Sequence, residues 1–227
     1  MTKSPTSTND PVSLNDPVSL NEPGSHGIVG SGSVVDAQIM QRMVAIRRDL
    51  HRNPELSWQE FRTASRICEY LDRLGITYRR DVATTGVVAE LPGPAGVPIV
   101  ALRADTDALP IFEATDLPFT SDVEGVMHAC GHDGHTSMLL GAAELLSRES
   151  QLPAPVRLLF QPAEETGRGA SAMIDAGVLD GVGMIFGGHL DRHYPTGSLV
   201  VSEGAVNASS DQFRMEIHGQ GAHAARP

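Results

Sequence analysis

PIVALRADTD, residues 98–107, decides how the chain folds. Its first half is a short, β-branched apolar run bordered by proline, the mark of a strand buried on both faces. Its second half breaks into Asp105 and Asp107. The same sentence is written twice more: VRLLFQ (156–161) runs into Pro162-Ala163-Glu164-Glu165, and GMIFGG (183–188) runs into His189. Strands without polar alternation, separated by helical periodicity, imply an α/β fold with a mostly parallel sheet flanked by helices. In such sheets ligands bind beyond the carboxyl ends of the strands. Three strands thus deliver acids or an imidazole to one edge.

Working outward, Asp36 is placed to cap a helix carrying Ile39, Met43, Ile46 and Leu50 at helical spacing. Ser57 and Glu60 form a capping-box pattern ahead of Phe61, Ala64, Cys68 and Leu71, and Gly75 ends that helix. GVVAEL (86–91) is a further strand. A third helix is expected over His135–Ser147, with Met138, Leu139, Ala142, Leu145 and Leu146 inward; GRGASAMIDAG opens a fourth, and GSLVVS (197–202) adds a strand. Phe213, Met215 and Ile217 then alternate with polar residues, as in a sheet with one wet face, and suggest the start of a second domain.

The first 35 residues are rich in Ser, Pro and Gly and repeat NDPVSL, so they read as a disordered tail. The division expected is a tail at 1–35, an incomplete catalytic metal-binding α/β domain at 36–210, and the opening of another domain at 211–227. The stop at Pro227 falls within a connection, the expectation for a truncated protein.

Composition narrows the function. The 227 residues are 41% hydrophobic and 20% charged, which is ordinary for a globular protein. A formal charge of −11 argues against nucleic-acid partners. Two cysteines, Cys68 and Cys130, make no disulfide framework, and a redox role for Cys130 lacks a resolving thiol. With no signal-like leader and no run of about 20 apolar residues, a cytoplasmic protein is expected.

MHACGHDGHT (127–136) concentrates the metal-binding side chains. Gly131 lets the backbone bend so that Cys130 and His132 face one ion. Thiolate, imidazole and carboxylate suit zinc and similar divalent ions, and the set could hold two, with Cys130 bridging. Asp105 and Asp107 also suit a simple turn after a strand. Glu164 and Glu165, read as extended, point opposite ways, one free to bind metal and the other to carry a proton; spacing does not say which. His128 and His135 are left open. His51, His193 and His218 read as structural. GQG (219–221) lacks the glycine pattern of a phosphate loop.

Taken in order, RRDLHRNPEL (47–56), ALRADTDALP (101–110), MHACGHDGHT, QPAEE (161–165), GGHL (187–190) with PTG (195–197), and GQGAHAARP (219–227) resemble the amidohydrolases of metallopeptidase family twenty. The nearest branch holds hippurate hydrolase, N-acyl-amino-acid aminoacylases and indole-acetyl-amino-acid hydrolases. The resemblance implies two divalent ions per subunit, zinc or manganese, held by Cys130, His132, Glu165 and His189. It implies Glu164 as general base and Asp107 as the residue orienting a ligand. It implies His223, on a lid or dimerisation domain, as a contact to the substrate carbonyl of a partner subunit. The expected reaction is hydrolysis of the amide of a small N-acyl amino acid by activated water, in a homodimer. Relatives carry a whole lid domain and a later histidine ligand beyond this point, so the alternative expectation is a non-catalytic fragment that at most binds metal.

Overall fold

The computed structural model describes residues 35–194, 196, 199–201, 213–216, 218–221, 223 and 225. The described residues fall into two compact units, one ending at Arg192 and one starting at His193. The expected tail, save Val35, and the expected domain boundary at 210–211 lie outside the described residues.

In the first unit the element order is α1 (Ala37–Arg52), α2 (Phe61–Leu74), β1 (Thr77–Val82), β2 (Gly86–Leu91), β3 (Ile99–Asp105), α3 (His132–Ser147), β4 (Val156–Gln161), α4 (Gly169–Asp175) and β5 (Val182–Gly187). The five strands form one sheet in the order β1-β2-β4-β3-β5. The expected α/β architecture with flanking helices is present, but the sheet is mixed. β3 pairs in parallel with β4 and with β5, while β2 is antiparallel to both β1 and β4. β1 was not legible in advance: TYRRDV is a charged edge strand, with little of it buried, and such strands carry no apolar run.

Both faces of the central strands are covered, which is why their sequences do not alternate. Val87, Ala89, Leu158 and Phe160 pack with Ile46, Leu50, Ile67, Leu71 and Leu140 of α1, α2 and α3. Val88, Ala101 and Leu159 meet Met173 and Val178 on the opposite face. Full burial of each Val, Leu, Ile, Phe or Met side chain among them contributes about 1.5–3 kcal/mol. Asp36 caps α1 as expected, its Oδ1 accepting the Ile39 amide at 2.7 Å.

Several local expectations fail for tertiary reasons. The Ser57–Glu60 capping box does not form; Ser57 Oγ instead donates to Asp107 at 2.6 Å, Glu60 makes no cap bond, and Glu55 accepts the first-turn amides of α2, Arg62 at 2.9 Å and Thr63 at 2.7 Å. α3 starts three residues earlier than its periodicity suggested, and buries Leu139, Leu140 and Ala143 while Met138 is exposed. Residues 199–201 and 213–216 form no strand. A strand exists through its ladder partner, and none of the described residues pairs with them; Gly197, Ser198, Ser202 and Ile217 lie outside the described residues. Among the described residues, no helix is long and apolar enough to cross a membrane.

Candidate metal centre

The parallel trio β5, β3 and β4 sends its carboxyl ends to one edge of the sheet, and α3 begins there. His132 is the first residue of α3, entered through Gly131 at φ 92°, a left-handed conformation that favours glycine. Its ring is buried, and Nδ1 lies 2.8 Å from the Asp107 carbonyl oxygen. A carbonyl can only accept, so Nδ1 carries the proton and Nε2 presents its lone pair. Among the described residues that buried Nε2 has no hydrogen-bond partner, and neither has Glu165 Oε1. Around Nε2 stand Asp105 Oδ2 at 3.6 Å, Glu165 Oε1 at 3.7 Å and Glu164 Oε2 at 3.8 Å. Cys130 Sγ lies 3.3 Å from His189 Nε2.

Ligand atoms of Cys130, His132 and His189 lie within 4.8 Å of one another, as do those of His132, Glu164 and Glu165, and those of Asp105, His132 and His135. The expected residues of the first unit are therefore brought together at one place, with His132 common to all three groups. His223 belongs to the second unit, where its Nδ1 accepts the Ala225 amide at 3.1 Å.

The two glutamates are not extended. Residues 164–167 form a turn, and both Glu164 and Glu165 come to His132. The turn is built by acids that sequence reading gave other work. Asp107 is fully buried, and accepts the Glu164 amide through Oδ1 and the Glu165 amide through Oδ2, each at 3.1 Å. Glu60, wholly inaccessible to solvent, accepts the Ala163 amide at 2.8 Å and the Thr85 hydroxyl at 2.6 Å. No local signal marks this use of Glu60, because the contact spans 103 residues. Ala163 adopts φ 51°, a conformation that needs such support.

The field at this edge is negative. Burial and the neighbouring Glu165 carboxylate push the Cys130 thiol up to about 12, with Asp105 and Glu164 adding to the effect. Burial raises Glu165 as well, with the charge of nearby Glu164 and Asp107 working in the same direction. For Asp105 burial acts upward, but His135, Arg103 and His132 outweigh it and hold the carboxyl down to about 2. Crowded acids and a soft sulfur around an unpartnered imidazole nitrogen fit a divalent cation, whose charge would invert the thiol's preference.

The remaining histidines separate by their partners. His51, read as structural, is buried between Asp133 at 2.9 Å and Glu113 at 3.1 Å. His128 is buried with both nitrogens unpartnered among the described residues, and burial holds it neutral, down to about 4. His218 is exposed, 3.7 Å from Glu216.

The sequence model of Peptidase family M20/M25/M40 matches residues 101–225. The N-acetylcysteine deacetylase of Bacillus subtilis (strain 168) is 47% identical over 197 residues, covering 86% of this chain and 52% of that protein. The IAA-amino acid hydrolase ILR1-like 5 of Arabidopsis thaliana is 48% identical over 186 residues, covering 82% of this chain and 42% of the relative. Among solved structures, the Bacillus subtilis YXEP protein, described as a dinuclear metal binding peptidase, superposes with a TM-score of 0.68 at 47% identity, over 71% of this chain and 45% of the other. The chain spans about half the length of the curated relatives it matches.

Proposed function

The chain belongs to Peptidase family M20/M25/M40, and from that premise we propose that it is the metal-binding part of an amidohydrolase that cleaves small N-acyl amino acids or similar conjugates. The supporting observation is the convergence of Cys130, His132, His189 and the Glu164–Glu165 turn around a buried imidazole nitrogen with no hydrogen-bond partner. Cys130, His132, Glu165 and His189 would hold two divalent ions, zinc or manganese. Ions held there would supply an acidified water and a polarised amide carbonyl. The relatives named a deacetylase and an amino acid hydrolase act on the same bond type.

The chain's own residues do the rest. Glu164 is more exposed than Glu165, with 41% against 21% of its side-chain surface open, and among the described residues its carboxylate lies 3.8 Å from His132 Nε2, beyond hydrogen-bond distance. It is the group free to take a proton from the attacking water and return it to the leaving nitrogen. Asp107 holds the amides of both glutamates and, through its carbonyl, the His132 tautomer; it positions two groups at once. On this reading residues 36–210 form the catalytic unit, and 211–227 open a lid and dimerisation unit bringing His223 to the substrate carbonyl of a partner subunit. The protein works in the cytoplasm as a homodimer.

The test offers hippurate and N-acetyl amino acids, with Mn²⁺ or Zn²⁺, to this chain and to any longer form of the protein containing it. Glu164→Gln is expected to abolish turnover while the bound metal content, measured by equilibrium dialysis, stays at the unsubstituted level. Unchanged turnover would remove Glu164 from the chemistry. A metal content of zero in the unsubstituted protein would remove the proposal as a whole.

A further inference from the structure

His135 stands among the metal-competent residues, yet its two nitrogens are both committed to protein partners. Nδ1 lies 2.6 Å from Asp105 Oδ1, and Nε2 lies 2.9 Å from the Leu190 backbone nitrogen. An amide N–H can only donate, so Nε2 is the acceptor and Nδ1 carries the proton that Asp105 receives. No lone pair remains on this ring for a cation. Asp105 is itself fixed: Arg103 donates to Oδ2 at 2.7 Å, and Thr136 Oγ1 donates to the Asp105 carbonyl at 2.8 Å.

The far end of this chain of bonds is the loop that carries His189. That loop follows the edge strand β5, and both His189 and Leu190 are exposed. Little holds it. His189 Nδ1 donates to the Leu190 carbonyl at 2.7 Å, which turns Nε2 toward Cys130. The His135 ring sits edge-on to that of His189, with centroids 4.6 Å apart. The Leu190 side chain rests where α3 begins, on the bare faces of Gly131 and Gly134; a Cβ at Gly134 would come within 2.6 Å of it.

We infer that Asp105 and His135 form a positioning relay, in which Asp105 fixes the His135 tautomer so that Nε2 grips the Leu190 amide and holds His189 against Cys130. The pair is thus not a third metal station. Its consequence for metal uptake rests on the function proposed above; the relay itself does not.

Two substitutions split the relay. His135→Asn keeps a donor for Asp105 but has nothing to reach Leu190. His135→Gln places an oxygen near the position of Nε2 and can accept the Leu190 amide. In the metal-free chain, amide exchange at Leu190 is expected to be slow in the unsubstituted protein and in His135→Gln, and fast in His135→Asn. Long-range ¹⁵N spectra of the unsubstituted chain are expected to show His135 as the neutral Nδ1–H tautomer, the minor form in free histidine. With Co²⁺ as the probe, His135→Asn is expected to weaken binding by about 10–100-fold, and His135→Gln by much less. A role confined to satisfying the Asp105 carboxylate predicts the reverse order, because Asn preserves that buried bond.

Fast Leu190 exchange in the unsubstituted chain, an Nε2–H tautomer, or tight Co²⁺ binding by His135→Asn would overturn the relay. Slow Leu190 exchange with no thiolate-to-cobalt band would support the relay and overturn the metal reading instead. The exchange and tautomer measurements use the unsubstituted chain, so a variant that fails to fold does not remove the test.

Discussion

Replacing Asp107 with Asn removes one acceptor oxygen from a buried carboxylate that serves three donors. Oδ1 accepts the Glu164 amide; Oδ2 accepts the Glu165 amide and the Ser57 hydroxyl. Whichever way the new amide turns, one backbone N–H faces an NH₂ group. The hydroxyl of Ser57 can rotate and accept, but an amide N–H cannot. One charge-assisted bond is lost and one buried donor is stranded, which together cost roughly 2–3 kcal/mol. Against a whole-domain stability of about 5–15 kcal/mol that is a readily measured loss. Urea unfolding should show a lower midpoint at an unchanged slope, and the Glu164 and Glu165 amide resonances should move. Ser57→Ala, which removes only the hydroxyl donor, should cost about 1 kcal/mol and leave both resonances in place. A D107N midpoint within about 0.5 kcal/mol of the unsubstituted protein, with those resonances unmoved, would refute the account of the turn.

Glu144 provides a pH test. Burial acts to raise its pKa, but bonds from Arg42, Tyr70 and Arg148 outweigh this and bring it from 4.5 down to about 2. A folded pKa below the unfolded one contributes stability above about pH 4.5 that is lost as pH falls toward 2, and Glu144→Gln should flatten that part of the urea stability profile. Gly169→Ala would set a methyl group 1.6 Å from the Pro162 carbonyl oxygen. The Pro162–Glu165 segment must then shift, costing about 1–3 kcal/mol in thermal unfolding; an unchanged melting temperature would contradict the close approach. Glu60→Gln keeps an acceptor for the Ala163 amide and should stay within about 1 kcal/mol of the parent, whereas Glu60→Ala loses two buried bonds and leaves a void, for about 3 kcal/mol by denaturant unfolding.

The sequence by itself determined the strands β2, β3 and β4, because segments covered on both faces must be apolar throughout; β5 carries an apolar run as well, although its Met184, Ile185 and Phe186 are exposed. It also marked their carboxyl ends as the place where polar chemistry collects, since Asp105, Glu164 and His189 each follow such a run. What it did not contain was the assignment of partners. Ser57 and Glu60 carry a helix-capping signature, yet they bond to Asp107 and Ala163, because both are brought to the carboxyl edge by the packing of α2 against the sheet. β1 escaped notice because an edge strand is held by its ladder to β2 and needs no apolar pattern of its own. His132 and His135 are chemically identical in the sequence and three residues apart, one turn of the same helix. Only the tertiary structure separates them. The ring of one meets a carbonyl and keeps a free lone pair, while the ring of the other lies between a carboxylate and an amide and keeps none. A histidine's role follows from what its two nitrogens meet, and those neighbours come from segments 25 to 55 residues away in the chain.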